Sequence, residues 1–184
     1  MKKNIISLAV VFICMSCNAQ SPIFGFNEIP ATIPAGSYIK DTHNILNKFE
    51  GTWVFSNSNS VFTITLQKAS MVSGATYYTD ELRGQYSFIQ DNVTIVDTYD
   101  QNGENSKIDG AMVWSDNLNK VTVYFRDPER PKTSYEVTLT YSNTNGNEKL
   151  NWQLYITGVS YVMEGEELPQ QDYRVPIDCE LTKQ

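Results

Sequence analysis

From Trp53 onward the chain alternates apolar and polar residues with a period of two, and few folds satisfy that pattern. Phe62, Ile64 and Leu66 alternate with Thr63, Thr65 and Gln67, and Val121, Val123 and Phe125 alternate with Thr122, Tyr124 and Arg126. Tyr135, Val137, Leu139 and Tyr141 continue the pattern, as do Leu150, Trp152, Leu154 and Ile156. Successive side chains of a strand point to opposite faces. Each run therefore has one apolar face and one polar face, as antiparallel strands half exposed to water do. Aromatic and β-branched residues, which suit a pleated surface, fill the runs.

The residues between the runs favour hairpins. Ser56 to Ser60 separates the first two, and Asn102-Gly103 and Asn145-Gly146 are strong turn dipeptides. The stretch Asp127 to Pro131 contains two prolines, each without an amide donor, and so is excluded from a central strand. Strands are expected near 52–56, 60–69, 75–90 with a bend at Gly84, 92–99, 108–115, 119–126, 132–142 and 148–157. A closing strand is expected near 173–182, after an acidic loop from Gly158 to Asp172. Eight or nine short antiparallel strands joined in sequence favour a closed up-and-down barrel, which leaves no free edge; a two-sheet sandwich is the alternative.

Ahead of the strands, Asp41-Thr42 is placed to cap one helical turn, with Ile45, Leu46 and Phe49 on one side and Gly51 as the stop. That turn is expected to plug the barrel just before Trp53. Ser21 to Ser37 contains Pro22, Pro30 and Pro34 and reads as an extended leader, part of which packs onto the domain through Phe24, Phe26 and Ile29. The expected organisation is an export signal over 1–20, a leader or tether over 21–40, and one all-β domain over 41–184.

The run Phe49-x-Gly51-Thr52-Trp53 resembles the entrance motif of the lipocalin and fatty-acid-binding superfamily. The resemblance implies a calycin-type antiparallel barrel in which the Trp packs across the floor beneath a basic side chain from the far end of the chain. Arg174 or Lys183, on the closing strand, is the implied partner through a cation–π contact. The order FEGTW, FTITLQK, YYTDELRGQYSFI and a final Pro176-x-x-Cys179-x-Leu181-x-Lys183 also resembles a domain-of-unknown-function family of small Gram-negative envelope proteins. Many of these carry signals ending like Ser16 to Gln20. The motifs shared are structural and imply no activity.

Met1-Lys2-Lys3 followed by the apolar stretch Ile5 to Met15 has the form of an export signal. The stretch is too short to span a bilayer, which takes about 20 apolar residues in a helix. Two processing routes compete. Ser16-Cys17 resembles the end of a lipobox, which would make Cys17 the lipidated first residue; ordinary cleavage after Ala19 or Gln20 would remove it. The first route anchors the protein at the periplasmic face of an outer membrane, and the second releases it as a soluble periplasmic or secreted protein. Contact with a membrane is expected only through that lipid. Without Lys2 and Lys3 the chain has 12 basic against 21 acidic residues, a net charge of −9. Such a surface repels phosphate backbones, so nucleic acid is not an expected partner. Cys179 is the only cysteine beyond the signal region, so no internal disulfide is available.

Catalytic and metal-binding patterns are sparse. His43 is the only histidine and has no nucleophile motif near it in sequence. One His and one Cys do not make a structural zinc site. Asp80 and Glu81 are adjacent on a strand and so point to opposite faces, which prevents them from flanking one bond; solvated or bulge positions are expected. Asp97, Asp100, Asn102, Glu104 and Asn105 surround one turn without the EF-hand pattern, and Glu164-x-Glu166-Glu167 reads as a solvated loop. No catalytic residue, metal or cofactor is expected, and a monomer is the default. The abundant Tyr and Trp residues suit either a pocket or a filled core. Two functions follow: a barrel binding a small apolar or amphipathic ligand, with Trp114, Tyr124 and Trp152 in its wall, or a solid barrel serving as a non-catalytic structural or interaction protein.

Overall fold

The alternating runs become strands that pair in chain order in the computed structural model, which describes residues 21–99, 106–163 and 165–184. Cys17 and the signal segment lie outside the described residues, as do Asp100, Asn102, Gly103, Glu104, Asn105 and Glu164. The strands are β1 (Ile23–Gly25), β2 (Tyr38–Lys40), β3 (Gly51–Ser56), β4 (Ser60–Ser73), β5 (Tyr78–Gln90), β6 (Val93–Asp97), β7 (Ile108–Trp114), β8 (Asn117–Phe125), β9 (Thr133–Thr144), β10 (Asn147–Val159) and β11 (Asp178–Lys183). A 3-10 helix spans Ile45–Phe49.

Eight of these strands close an antiparallel barrel in the order β5-β4-β3-β11-β10-β9-β8-β7 and back to β5. Closure on one side joins β11 to β3 through Thr182↔Val54 and Lys183↔Trp53. On the other it joins β5 to β7 through Leu82↔Gly110, Arg83↔Asp109 and Gly84↔Ile108. The edge of β5 is shared by three partners in succession: β2 at Tyr78 and Thr79, β7 at Leu82 to Gly84, and β6 at Ser87 to Gln90. Hence β6 is a spur, not a ninth stave. Gly84 stands where the strands crowd: a Cβ there would come within 2.5 Å of the Thr65 carbonyl oxygen. The Asn145-Gly146 turn has φ of 54° and 87°, both left-handed, which turns β9 into β10 with the twist that a two-residue hairpin needs.

The structure adds detail to one expectation and corrects another. Part of the leader is built into the sheet: β1 pairs in parallel with β2, and β2 pairs in parallel with β5. Ile39 is buried there and Phe26 packs against the core, while Ile23 and Ile29 stay exposed. The closing strand begins at Asp178, not at 173, because Pro176 has no amide to give the ladder. The segment before it crosses the barrel mouth instead.

The inward faces meet in one core containing Trp53, Phe62, Leu66, Tyr86, Leu139 and Trp152, all fully buried. Rings from non-adjacent strands touch across the barrel. Phe62 of β4 meets Trp152 of β10 at 5.0 Å between centroids, Tyr86 of β5 meets Phe125 of β8 at 4.7 Å, and Phe125 meets Trp152 at 5.7 Å. Each such pair contributes about 0.5–1.5 kcal/mol beyond the area it buries.

Candidate functional site

The floor of the barrel is assembled by Asp41. Its carboxylate is buried and accepts the amide hydrogens of Ile45 (2.7 Å) and Leu46 (2.9 Å) and the Lys68 ammonium (2.8 Å). Burial alone would push this carboxyl up, but the Lys68 ammonium and the two amides together hold it below the usual aspartate range. The 3-10 helix so fixed turns Leu46 and Phe49 into the core. Trp53 Nε1 donates to the Phe49 carbonyl at 2.8 Å, and both rings pack edge-on to Tyr141. Lys183 Nζ lies 5.2 Å from the centroid of the Trp53 ring and pairs with Glu148 at 2.7 Å. Gly51 has φ of +122°, and a Cβ there would meet the Lys183 side chain at 3.0 Å. The strand can therefore pass beneath that lysine only with glycine.

Arg174 sits elsewhere, which corrects the expectation that it shares the closing strand with Lys183. It donates to Asp127 (2.8 Å), Glu129 (2.8 Å) and the Ile95 carbonyl (2.6 Å), at the opposite end of the barrel from the helix. Val175 beside it is buried in the core. Trp152 Nε1 donates to the Pro176 carbonyl, and the Tyr135 hydroxyl donates to the Asp172 carbonyl, each at 2.9 Å. This loop therefore seals the second end. A shallow depression of about 470 Å³ remains at its surface, lined by Phe55, Ile95, Arg174 and Pro176 among others.

The three aromatic residues proposed as a common wall do not meet. Trp152 is inside, fully buried and edge-on to Phe62 and Phe125. Trp114 is on the outer face, with Lys120 Nζ 3.6 Å from its ring centroid and its Nε1 donating to Thr122 at 3.0 Å. Tyr124 is also outside and 52% exposed. The alternation itself gives the reason: Tyr124 sits between the inward Val123 and Phe125, so its side chain must point to the outside.

Tyr124 instead lines a groove of about 290 Å³ between the leader and the outer barrel face. Phe26, Ile29 and Ile33 form the leader side, and Met112, Tyr124 and Glu136 stand opposite. A bulge in β7 between Asp109 and Met112 shapes it, with Gly110 at φ +106° directly beneath the Tyr124 ring. Glu81 lines the same groove and takes a hydrogen bond from Arg83 Nε at 2.9 Å. The Glu136 carboxylate has no hydrogen bond or ion pair among the described residues.

Asp80 and Glu81 do face opposite ways, and Asp80 lies across from the bulge in β4 between Ala69 and Val72, the second of the two expected positions, where it is buried and not solvated. It accepts the Tyr38 hydroxyl and the amides of Asp41 (2.9 Å) and Met71 (3.0 Å), tying the leader and floor to the β4–β5 hairpin. Burial and Asp80 push the Tyr38 phenol up to about 12. His43 is exposed and hydrogen-bonds with the Thr42 hydroxyl at 3.0 Å. Burial pushes the Cys179 thiol up to about 12, away from thiolate chemistry at neutral pH. No group of three or more potential metal-ligating side chains occurs among the described residues. The groove and the Asp80 network escaped the sequence reading. The only signal for the groove was the set of apolar residues in an otherwise polar, proline-rich leader.

Comparison with known proteins gives a family and no activity. The model of a family of unknown function, DUF6705, matches residues 1–184, and the chain belongs to that family. No curated protein and no solved structure matches it.

Proposed function

We propose that this chain is an exported, non-catalytic protein of the cell envelope whose barrel is a solid scaffold and whose contacts are made on its outside. The observation that carries this reading is the filled interior: Trp53, Phe62, Tyr86 and Trp152 are wholly buried, and Phe62–Trp152, Tyr86–Phe125 and Phe125–Trp152 meet across the barrel, between two closed ends. A carrier for an apolar ligand needs an internal cavity, commonly of about 300–1,000 Å³. Lipid transport inside the barrel is therefore the weaker reading. Nor do the groups most suited to nucleophilic catalysis support an enzymatic role among the described residues: His43 is exposed and apart from Cys179, whose thiol is pushed up to about 12 by burial.

Titration with a polarity-sensitive fluorescent fatty acid tests the solid barrel. The expected result is neither saturable binding nor quenching of Trp fluorescence; one-to-one binding with quenching of Trp152 would reinstate the carrier. The export pattern of the first residues and the Ser16-Cys17 pair support anchoring by a lipid on Cys17, at the periplasmic face of an outer membrane. Mass spectrometry of the mature N-terminus should find acyl mass on Cys17, and Cys17→Ala should release the protein from membranes. A mature chain starting at Gln20 or Ser21 without acyl mass rejects the anchor and leaves a soluble periplasmic or secreted protein.

A further inference from the structure

We infer that the groove beneath the leader is a binding site for a small cationic amphiphile, an ammonium group carried on a short apolar body. Its walls supply apolar surface from both sides, Phe26, Ile29 and Ile33 from the leader and Met112 and Tyr124 from the barrel. The volume of about 290 Å³ falls at the lower limit of small-molecule sites, which suits a compact ligand and not a full-length lipid.

The charge of the groove selects the sign of the ligand. Two carboxylates line it, Glu81 and Glu136, and among the described residues no lysine or arginine does. Arg83 already satisfies one oxygen of Glu81, so the unmatched charge is that of Glu136. A ligand covering Glu136 removes water from a carboxylate. That step is unfavourable unless the ligand brings a positive charge, and prohibitive if it brings a second negative one. Tyr124 is the cross-strand partner of Glu136, and its half-exposed ring offers a cation–π face beside the carboxylate. The excess of acidic residues over the whole chain adds a long-range attraction of the same sign. This site is independent of whether the barrel interior is solid.

The test is titration of the purified protein with hexyltrimethylammonium, hexyl sulfate and hexanol, followed by calorimetry and by NMR shifts. The ammonium compound is expected to bind saturably, with shifts at Phe26, Met112 and Tyr124. It should bind about tenfold more tightly than the sulfate, a preference that shrinks as salt is added. Glu136→Gln keeps the shape of the side chain and breaks no hydrogen bond or ion pair among the described residues. It should weaken the ammonium compound about fivefold or more while leaving hexanol unchanged. Equal affinity for the two charged probes, no saturable binding of the ammonium compound, or an unaffected Glu136→Gln variant would each overturn the assignment. Shifts at Phe62 and Trp152 would instead count against the solid barrel and leave the groove to be judged by its own residues.

Discussion

Removing the carboxylate of Asp41 should loosen the barrel floor by an amount that its contacts allow to be worked out. Asp41→Ala strips the acceptor from two amides at the start of the 3-10 helix and from the Lys68 ammonium. Losing a capping side chain costs about 1 kcal/mol. Breaking a buried ion pair from one side costs about 3–5 kcal/mol when the partner is left stranded. Lys68 is not wholly stranded, since it is 14% exposed and retains Asn47 Oδ1 at 3.2 Å, so the lower part of that range applies. A total of about 4 kcal/mol is expected, which in a chain of this size lowers Tm by roughly 8–16 °C. Asp41→Asn keeps one acceptor and should lose about half as much. Urea unfolding at pH 7, followed by Trp fluorescence, measures both variants, and a Lys68→Met partner completes a double-mutant cycle.

The same contacts fix a pH dependence. Asp41 titrates lower in the folded chain than in the unfolded one. Its contribution to stability is therefore complete above the unfolded aspartate value of about 3.9 and disappears as pH falls through the depressed folded value. Wild type should thus lose stability more steeply than Asp41→Asn below about pH 4. A cost for Asp41→Ala under about 0.5 kcal/mol, or parallel acid profiles for the two proteins, would refute the account of the floor.

Two further outcomes follow from the sealed interior. Cys179 should resist a thiol-alkylating reagent at pH 8 in the folded protein and react at once in urea, as read by mass spectrometry; rapid reaction of the native protein would contradict its burial and a thiol pushed up to about 12. Arg174→Met should destabilise by about 3 kcal/mol, because Asp127, only 5% exposed, loses the guanidinium paired with it at 2.8 Å; unchanged stability in urea would mean that the loop does not seal the mouth.

What was legible in the sequence, and what was not, divides along a physical line. Alternation identifies inward and outward residues because the period of a strand is fixed, so the strands from Gly51 to Val159 and the plug at Ile45 to Phe49 follow from local pattern. Closure of β11 on β3, and the division of the β5 edge among β2, β7 and β6, depend on residues far apart in the chain and have no local signature. Arg174 illustrates the difference. Its charge and its distance from Trp53 in sequence fit the floor as well as Lys183 does, and only the place where Pro176 interrupts the ladder sends it to the other end. The site follows the same rule. Trp114, Tyr124 and Trp152 look alike in composition, yet strand parity puts Trp152 into a core with no room and Tyr124 against a leader whose path the sequence does not specify. In a barrel this small the large aromatics fill the middle, which is why the proposed recognition lies on the surface, where a strand's outer face meets a segment laid across it. Unpaired charge then becomes the discriminating feature, and Glu136 is the residue that carries it.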